Sequence, residues 1–138
     1  MNQVILGVDP GSRDTGFGII HEEGENLLHL ASGRIHAGSR PALENRLRQI
    51  YDGLTDLIQQ HQPQALALEE IFLARNVRSA FVLGQVQGVV LLAAAQSSLP
   101  VFQYAATTVK KAVVGYGQAS KAQVQLMIEQ LLGLKITN

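Results

Sequence analysis

The sequence contains no cysteine among its 138 residues, and this absence excludes several kinds of chemistry. Disulfides, zinc sites built from thiolates and a cysteine nucleophile are all ruled out. No uninterrupted run of roughly 18 apolar residues occurs, so the composition predicts a soluble globular protein rather than a membrane-spanning one. The chain also lacks a basic start followed by an apolar stretch, so we expect no secretion and a cytoplasmic location.

Positive charge is scarce in the first half of the chain. Residues 1–70 hold no lysine and five arginines against ten acids, whereas residues 71–138 hold six basic residues against Glu129 alone. An asymmetry of this kind can indicate a polyanionic partner, although a solvated charged face is its commoner cause. The four histidines show no metal-ligand spacing, and we assign no role to them: His21, His29, His36 and His61.

The length predicts a single domain with a sizeable core, and no repeat, low-complexity tract or linker interrupts it. Three strands of an antiparallel meander are expected first, over about 4–8, 15–21 and 27–36. Pro41 then suits the first turn of an amphipathic helix that ends before Pro63. A strand at 65–68, a long helix over about 77–98 and a short strand at 100–104 are expected to follow, with two further helices after them.

The first strand ends on an acid, because the apolar run Val4 to Val8 leads directly to Asp9 and a Pro-Gly turn. A carboxylate at the end of a buried strand must be solvated, paired or bound to a cation. The functional interpretation is a metal ligand. The structural alternative is an aspartate that caps the turn, and this stretch alone does not decide between them.

The strand at 65–68 repeats this pattern, since it leads to Glu69 and Glu70. Ligands collect outside the carboxyl ends of strands in open α/β sheets, so two such acids can meet there around a divalent cation. Glu69 follows the strand directly and is the preferred candidate. The alternative is an exposed loop acid.

Basic residues surround the long helix and follow the last strand. Phe72 precedes Arg75 and Arg78, where an aromatic ring can stack on an exposed base, although a core position is the commoner role for an isolated phenylalanine. Gly84 and Gly88 lie one turn apart in the helix and suggest the close approach of another backbone. Lys121 is expected in the first turn of a helix, where a lysine beside exposed amides suits a phosphate.

Four segments spread over nearly the whole chain match the pattern of one known family. They are residues 6–12 with Thr15-Gly16, residues 68–72, the helix 77–88 with its Leu83-Gly84-Gln85 and Gly88, and the region from Tyr104 to Val124. Together they resemble the RuvC family of Holliday-junction resolvases. The resemblance implies an α/β, ribonuclease-H-like fold. Its mixed five-stranded sheet has three antiparallel strands first and is flanked by helices.

The resemblance also implies an activity. Members of the family are homodimeric endonucleases of recombination and repair that act in the bacterial cytoplasm with a branch-migration complex. They bind four-way junction DNA and nick two strands symmetrically, using Mg²⁺ or Mn²⁺ in a two-metal site held by four acids.

Individual residues of this chain take roles from the resemblance. Asp9 and Glu69 match the first two metal-binding acids, and Lys110 and Lys121 match catalytic lysines near the scissile phosphate. The positions expected to contact DNA are Phe72, which engages a base, and Arg75, Asn76, Arg78 and Lys111.

The sequence departs from the family pattern at its end. The third and fourth acids are expected a few residues beyond Asn138, and Glu129 lies too early to replace them. We therefore expect residues 1–138 to be one nuclease domain that lacks its C-terminal segment and that cleaves weakly or not at all by itself. A non-catalytic junction-binding module is the alternative. An actin-like kinase or ATPase shares the opening motif but needs a second domain.

Overall fold

Five β-strands and two α-helices make up residues 2–23, 26–70 and 76–105, which are the residues that the structure, a computed structural model, describes. In chain order they are β1 (Asn2–Asp9), β2 (Asp14–Glu23), β3 (Asn26–His36), α1 (Leu43–His61), β4 (Ala65–Glu70), α2 (Val77–Gln96) and β5 (Val101–Ala105).

The strands form one mixed sheet in the order β3-β2-β1-β4-β5. The first three are antiparallel neighbours, whereas β4 runs parallel to β1 and β5 runs parallel to β4. This arrangement confirms the predicted five-stranded sheet with an antiparallel meander first. Because β1 and β4 are parallel, the ends of both strands lie at the same edge of the sheet.

The core lies between one face of the sheet and the two helices. Side chains alternate between the faces of a strand, so Leu6 and Val8 of β1 point to the same side as Leu66 and Leu68 of β4. All four are fully buried, and they pack with the inner faces of α1 and α2. The main helical contributors to this cluster are Ile50, Leu54, Ile58, Val86, Val90, Ala93 and Ala94.

The start of α1 differs from the prediction that placed Pro41 in its first turn. The helix begins at Leu43, because Ala42 keeps an extended conformation with ψ 153° and lacks a side chain that could cap the helix. Pro41 therefore lies before the N-cap. The other end is as predicted. Gln62 adopts a left-handed conformation and donates its backbone N–H to the Ile58 carbonyl, and Pro63 follows.

Two opposite faces distinguish α2. Val86 and Val90 are fully buried, whereas Phe81 and Leu92 lie on the far side and are exposed. By length and composition α2 is long and apolar enough to cross a membrane, the one such helix in the described ranges. A single helix of this kind indicates little, since a helix on the core of a soluble protein has the same properties.

Candidate active site

The two predicted metal-binding acids lie at the ends of neighbouring strands. Asp9 is the last residue of β1, and Glu69 is the next-to-last residue of β4. The register pairs Val8 with Leu68, so Asp9 and Glu69 are the next residues along two parallel strands. Neighbouring strands lie about 4.8 Å apart, and residues that follow a register pair share a face of the sheet. The fold therefore brings these two carboxylates together, as the sequence predicted.

The surroundings of the two acids are unequal. Glu69 is only 7% exposed, while Asp9 is partly exposed. Two like charges on adjacent strands repel, and burial of one increases the cost of ionising both. A divalent cation relieves this cost, and carboxylate oxygens are the ligands that Mg²⁺ prefers. The donor chemistry thus fits a hard cation. Within the described residues, however, no group of three or more His, Cys, Asp or Glu side chains is placed to hold a metal.

The turn that follows Asp9 is fixed by Gly11 and Thr15. The hydroxyl of Thr15 donates to the Gly11 carbonyl at 2.9 Å and accepts from the Gly11 N–H at 3.3 Å. Thr15 is fully buried, and a Cβ added to Gly11 would overlap the Asp14 carbonyl oxygen. These contacts explain the Gly and Thr of the opening motif, since they hold the chain that leaves Asp9 in one conformation.

Gly16 lies opposite Asp9 in the antiparallel register of β1 and β2. A Cβ added there would lie 3.6 Å from the Asp9 Cβ and 4.0 Å from its Oδ2. That distance is an ordinary contact, so alanine fits and a longer side chain would crowd the carboxylate. Gly16 therefore keeps the space beside Asp9 open.

A second carboxylate, Asp14, pairs with a histidine to which the sequence assigned no role. His36 Nδ1 lies 2.6 Å from Asp14 Oδ1, and Arg34 lies 3.8 Å from Oδ2. The hydrogen bond from His36, together with the charges of His36 and Arg34, holds the pKa of Asp14 below its ordinary value of 3.8. A lowered pKa stabilises the fold above the unfolded value, and that contribution is lost as the pH falls through the folded one.

Two of the predicted DNA-binding residues lie at the start of α2. Asn76 is the N-cap of the helix, and its Oδ1 accepts the Ser79 backbone N–H at 2.9 Å. Arg78 is exposed and lines a cavity of about 500 Å³ that Arg13 and Arg46 also line. The sequence did not single out Arg13 or Arg46, because they come from segments that only the fold brings together.

The remaining predicted site residues lie outside the described part of the chain. They are Phe72, Arg75, Lys110, Lys111 and Lys121, and their roles stay predictions.

Comparison with known proteins identifies relatives of this chain. Residues 5–138 match the family model described as crossover junction endodeoxyribonuclease RuvC. The protein of that description from Shewanella baltica is 52% identical over 131 residues, which cover 95% of this chain and 75% of the relative.

Solved structures show the same relationship. The structure described as Thermus thermophilus RuvC in complex with Holliday junction substrate has a TM-score of 0.74 and 30% identity. That match covers 96% of this chain and 81% of the other. The fowlpox virus Holliday junction resolvase matches at a TM-score of 0.60 over 94% of this chain and 99% of its own, with 12% identity, so it supports the fold alone.

Proposed function

This chain belongs to the RuvC family of crossover junction endodeoxyribonucleases, and on that premise we propose that it resolves four-way DNA junctions by hydrolysing phosphodiester bonds. The observation that carries the proposal is the pair Asp9 and Glu69, placed side by side at the ends of β1 and β4. The Thermus relative is described in complex with its Holliday junction substrate, which supports junction DNA as the substrate.

We propose that Asp9 and Glu69 hold Mg²⁺ or Mn²⁺ between them. A divalent cation in such a site supplies the activation of water and the stabilisation of the leaving oxygen of the phosphodiester. The chain's own contribution is positional, because β1 and β4 fix the two carboxylates and the Gly11–Thr15 contacts fix the turn beside them. Lys110 and Lys121 are proposed to stabilise negative charge on the scissile phosphate.

The non-catalytic alternative, a module that only binds junctions, is not favoured. The relatives that cover nearly all of this chain are described as endonucleases. A module that only binds would also have no use for a buried acid beside a second one, and Glu69 is such an acid.

A cleavage assay tests the proposed function. The protein expressed from the whole of its reading frame is expected to cut a labelled four-way junction in the presence of Mg²⁺ or Mn²⁺ and not in EDTA. A linear duplex of the same sequence serves as the control substrate and should remain uncut. Equal cleavage of duplex and junction, or undiminished cleavage in EDTA, would contradict the proposal.

We propose further that the protein acts as a homodimer through the outer face of α2. Val77, Phe81 and Leu92 are exposed on this face, with Phe81 at 69%, and Gly84 and Gly88 are exposed between them. No atom lies within 4 Å of a Cβ built on either glycine, so the expected close approach of another backbone does not occur within the described part of the chain. A second copy would cover this face, and two sites related by symmetry suit two symmetric nicks.

Phe81→Glu is expected to convert the protein to a monomer, because it places a charge in the centre of the proposed interface. Phe81 is exposed, so the monomer fold should persist, and light scattering coupled to size exclusion would report the change in mass. Gln59→Glu, on the exposed face of α1, is the control and should leave the mass unchanged. An unaltered mass for Phe81→Glu would exclude this interface.

Cooperation with a branch-migration complex in the bacterial cytoplasm is part of the same proposal, and it is supported by the family resemblance alone.

A further inference from the structure

A cleft lined by three arginines lies at the end of the sheet where Asp9 is found. Arg13, Arg46 and Arg78 line this cavity of about 500 Å³, together with Ser12, Ser39 and Ser79. We call these six residues the arginine cleft. Its lining contains no carboxylate, and Val82 and Leu83 form the apolar part of the wall. The cleft therefore combines a concentrated positive charge with hydroxyl groups.

The cleft is built from four segments that meet at one edge of the sheet. Ser12 and Arg13 belong to the turn after β1, Ser39 follows β3, Arg46 lies in the second turn of α1, and Arg78 and Ser79 begin α2. Ser12 comes three residues after Asp9. A ligand of the cleft would thus lie on the same edge of the sheet as the two carboxylates.

Hydrogen bonds hold the walls of the cleft in place. The Arg13 carbonyl accepts the backbone N–H groups of Ala37 and Gly38 at 2.7 and 3.0 Å, which joins the turn after β1 to the segment after β3. Thr15 fixes the same turn through Gly11 from the other side. The site is therefore formed before a ligand arrives.

Arg46 is the residue that most clearly lacks a partner. Its Nε is buried, and no hydrogen-bond acceptor in residues 2–23, 26–70 or 76–105 reaches it. A buried donor without an acceptor is unfavourable, and so is the mutual repulsion of three guanidinium groups around one cavity. An anion in the cleft would remove both costs.

We propose that the arginine cleft binds a backbone phosphate of the DNA strand next to the one that is cut, with the sugar against Val82 and Leu83. The proposal rests on the proposed function and extends it by assigning Arg13 and Arg46 as positioning residues. Guanidinium groups match phosphate oxygens with paired N–H donors, and serine hydroxyls are common phosphate donors. A cavity of this volume has room for the sugar as well as the phosphate.

The test compares Arg46→Gln with Arg48→Gln in the protein expressed from the whole of its reading frame. Arg48 lies on the same helix, is exposed and pairs with Asp52 at 3.8 Å, so its removal takes away the same charge outside the cleft. Junction binding would be measured at several salt concentrations. A protein that neutralises one phosphate fewer is expected to show a slope of log K against log salt that is smaller by about 0.9.

We expect the reduced slope for Arg46→Gln and the unmodified slope for Arg48→Gln. Arg46→Lys should retain the slope, because it keeps the charge, and bind less tightly, because it loses the paired donors. Arg78→Gln is a second variant for the case in which Arg46→Gln does not fold, since Arg78 is exposed, and it should reduce the slope in the same way.

An unchanged slope for folded Arg46→Gln, or for Arg78→Gln if Arg46→Gln does not fold, would overturn the proposal. It would equally be overturned if inorganic phosphate raised the melting temperature of the unmodified protein but not of Arg46→Gln while the DNA slope stayed the same, because the cleft would then bind free phosphate. Failure of the unmodified protein to prefer junctions over duplex would instead contradict the proposed function.

Discussion

Asp9→Asn is expected to lower the rate of junction cleavage by about a thousandfold while the affinity for junctions changes little. Asparagine keeps the shape of the side chain but removes the charge that holds the cation, and a metal contributes several kcal/mol to the stabilisation of a phosphoryl transition state. Since about 1.4 kcal/mol corresponds to a factor of ten, the loss amounts to about three powers of ten. Single-turnover cleavage at saturating protein would measure the rate, and binding in EDTA would measure the affinity.

Asp14→Asn provides the matched control for this prediction. Asp14 is also an acid near the turn after β1, but its carboxylate is engaged by His36 and Arg34 rather than by Glu69. We expect cleavage within a few-fold of the unmodified rate. Glu69→Gln added to Asp9→Asn should lower the rate little further, because two ligands of one cation act as a unit. Full activity of Asp9→Asn would place the metal elsewhere.

Leu6→Ala is expected to reduce the free energy of unfolding by about 2–5 kcal/mol. Leu6 is fully buried in β1, the central strand, and belongs to the cluster that joins the sheet to both helices. Truncation leaves a cavity that the surrounding strands are too constrained to fill. Stabilities of small domains are about 5–15 kcal/mol, so this single change removes a large part of the total. Urea denaturation followed by circular dichroism would give the difference.

Leu30→Ala is the comparison for that measurement. Leu30 lies on the edge strand β3 and is 48% exposed, so the same truncation should alter the unfolding free energy by about 0.5 kcal/mol or less. Similar losses for the two variants would mean that Leu6 is not the central core residue that its burial indicates.

The sequence predicted the part of the site that depends on strand ends. Asp9 and Glu69 each follow an apolar strand, and parallel pairing of those strands is sufficient to bring their side chains to one edge. The order of elements, the mixed sheet and the limits of α2 to within two residues were predictable for a related reason. Each is encoded in local hydrophobic periodicity and in turn residues.

Features that depend on the register between distant segments were not predictable from the sequence. The pairing of Asp14 with His36 requires the β2–β3 register, which places these residues opposite each other although 22 positions separate them. The antiparallel hairpin was the only available signal for it. The arginine cleft needs four segments at once. The outer face of α2 was also ambiguous, because the helix is apolar on both sides and only packing shows which side is buried.

The parallel pairing of β1 with β4 also bears on the order in which the chain folds. The antiparallel strands β1 to β3 are neighbours in sequence, whereas β4 pairs with β1 only after β2, β3 and α1 have been placed between them. Contacts of long sequence separation form late because closing the intervening loop costs entropy. One carboxylate of the site belongs to the early meander and the other to the late pairing. A partly folded chain therefore holds only half of the centre, so we expect nuclease activity to appear only with complete folding and DNA to be safe from its intermediates.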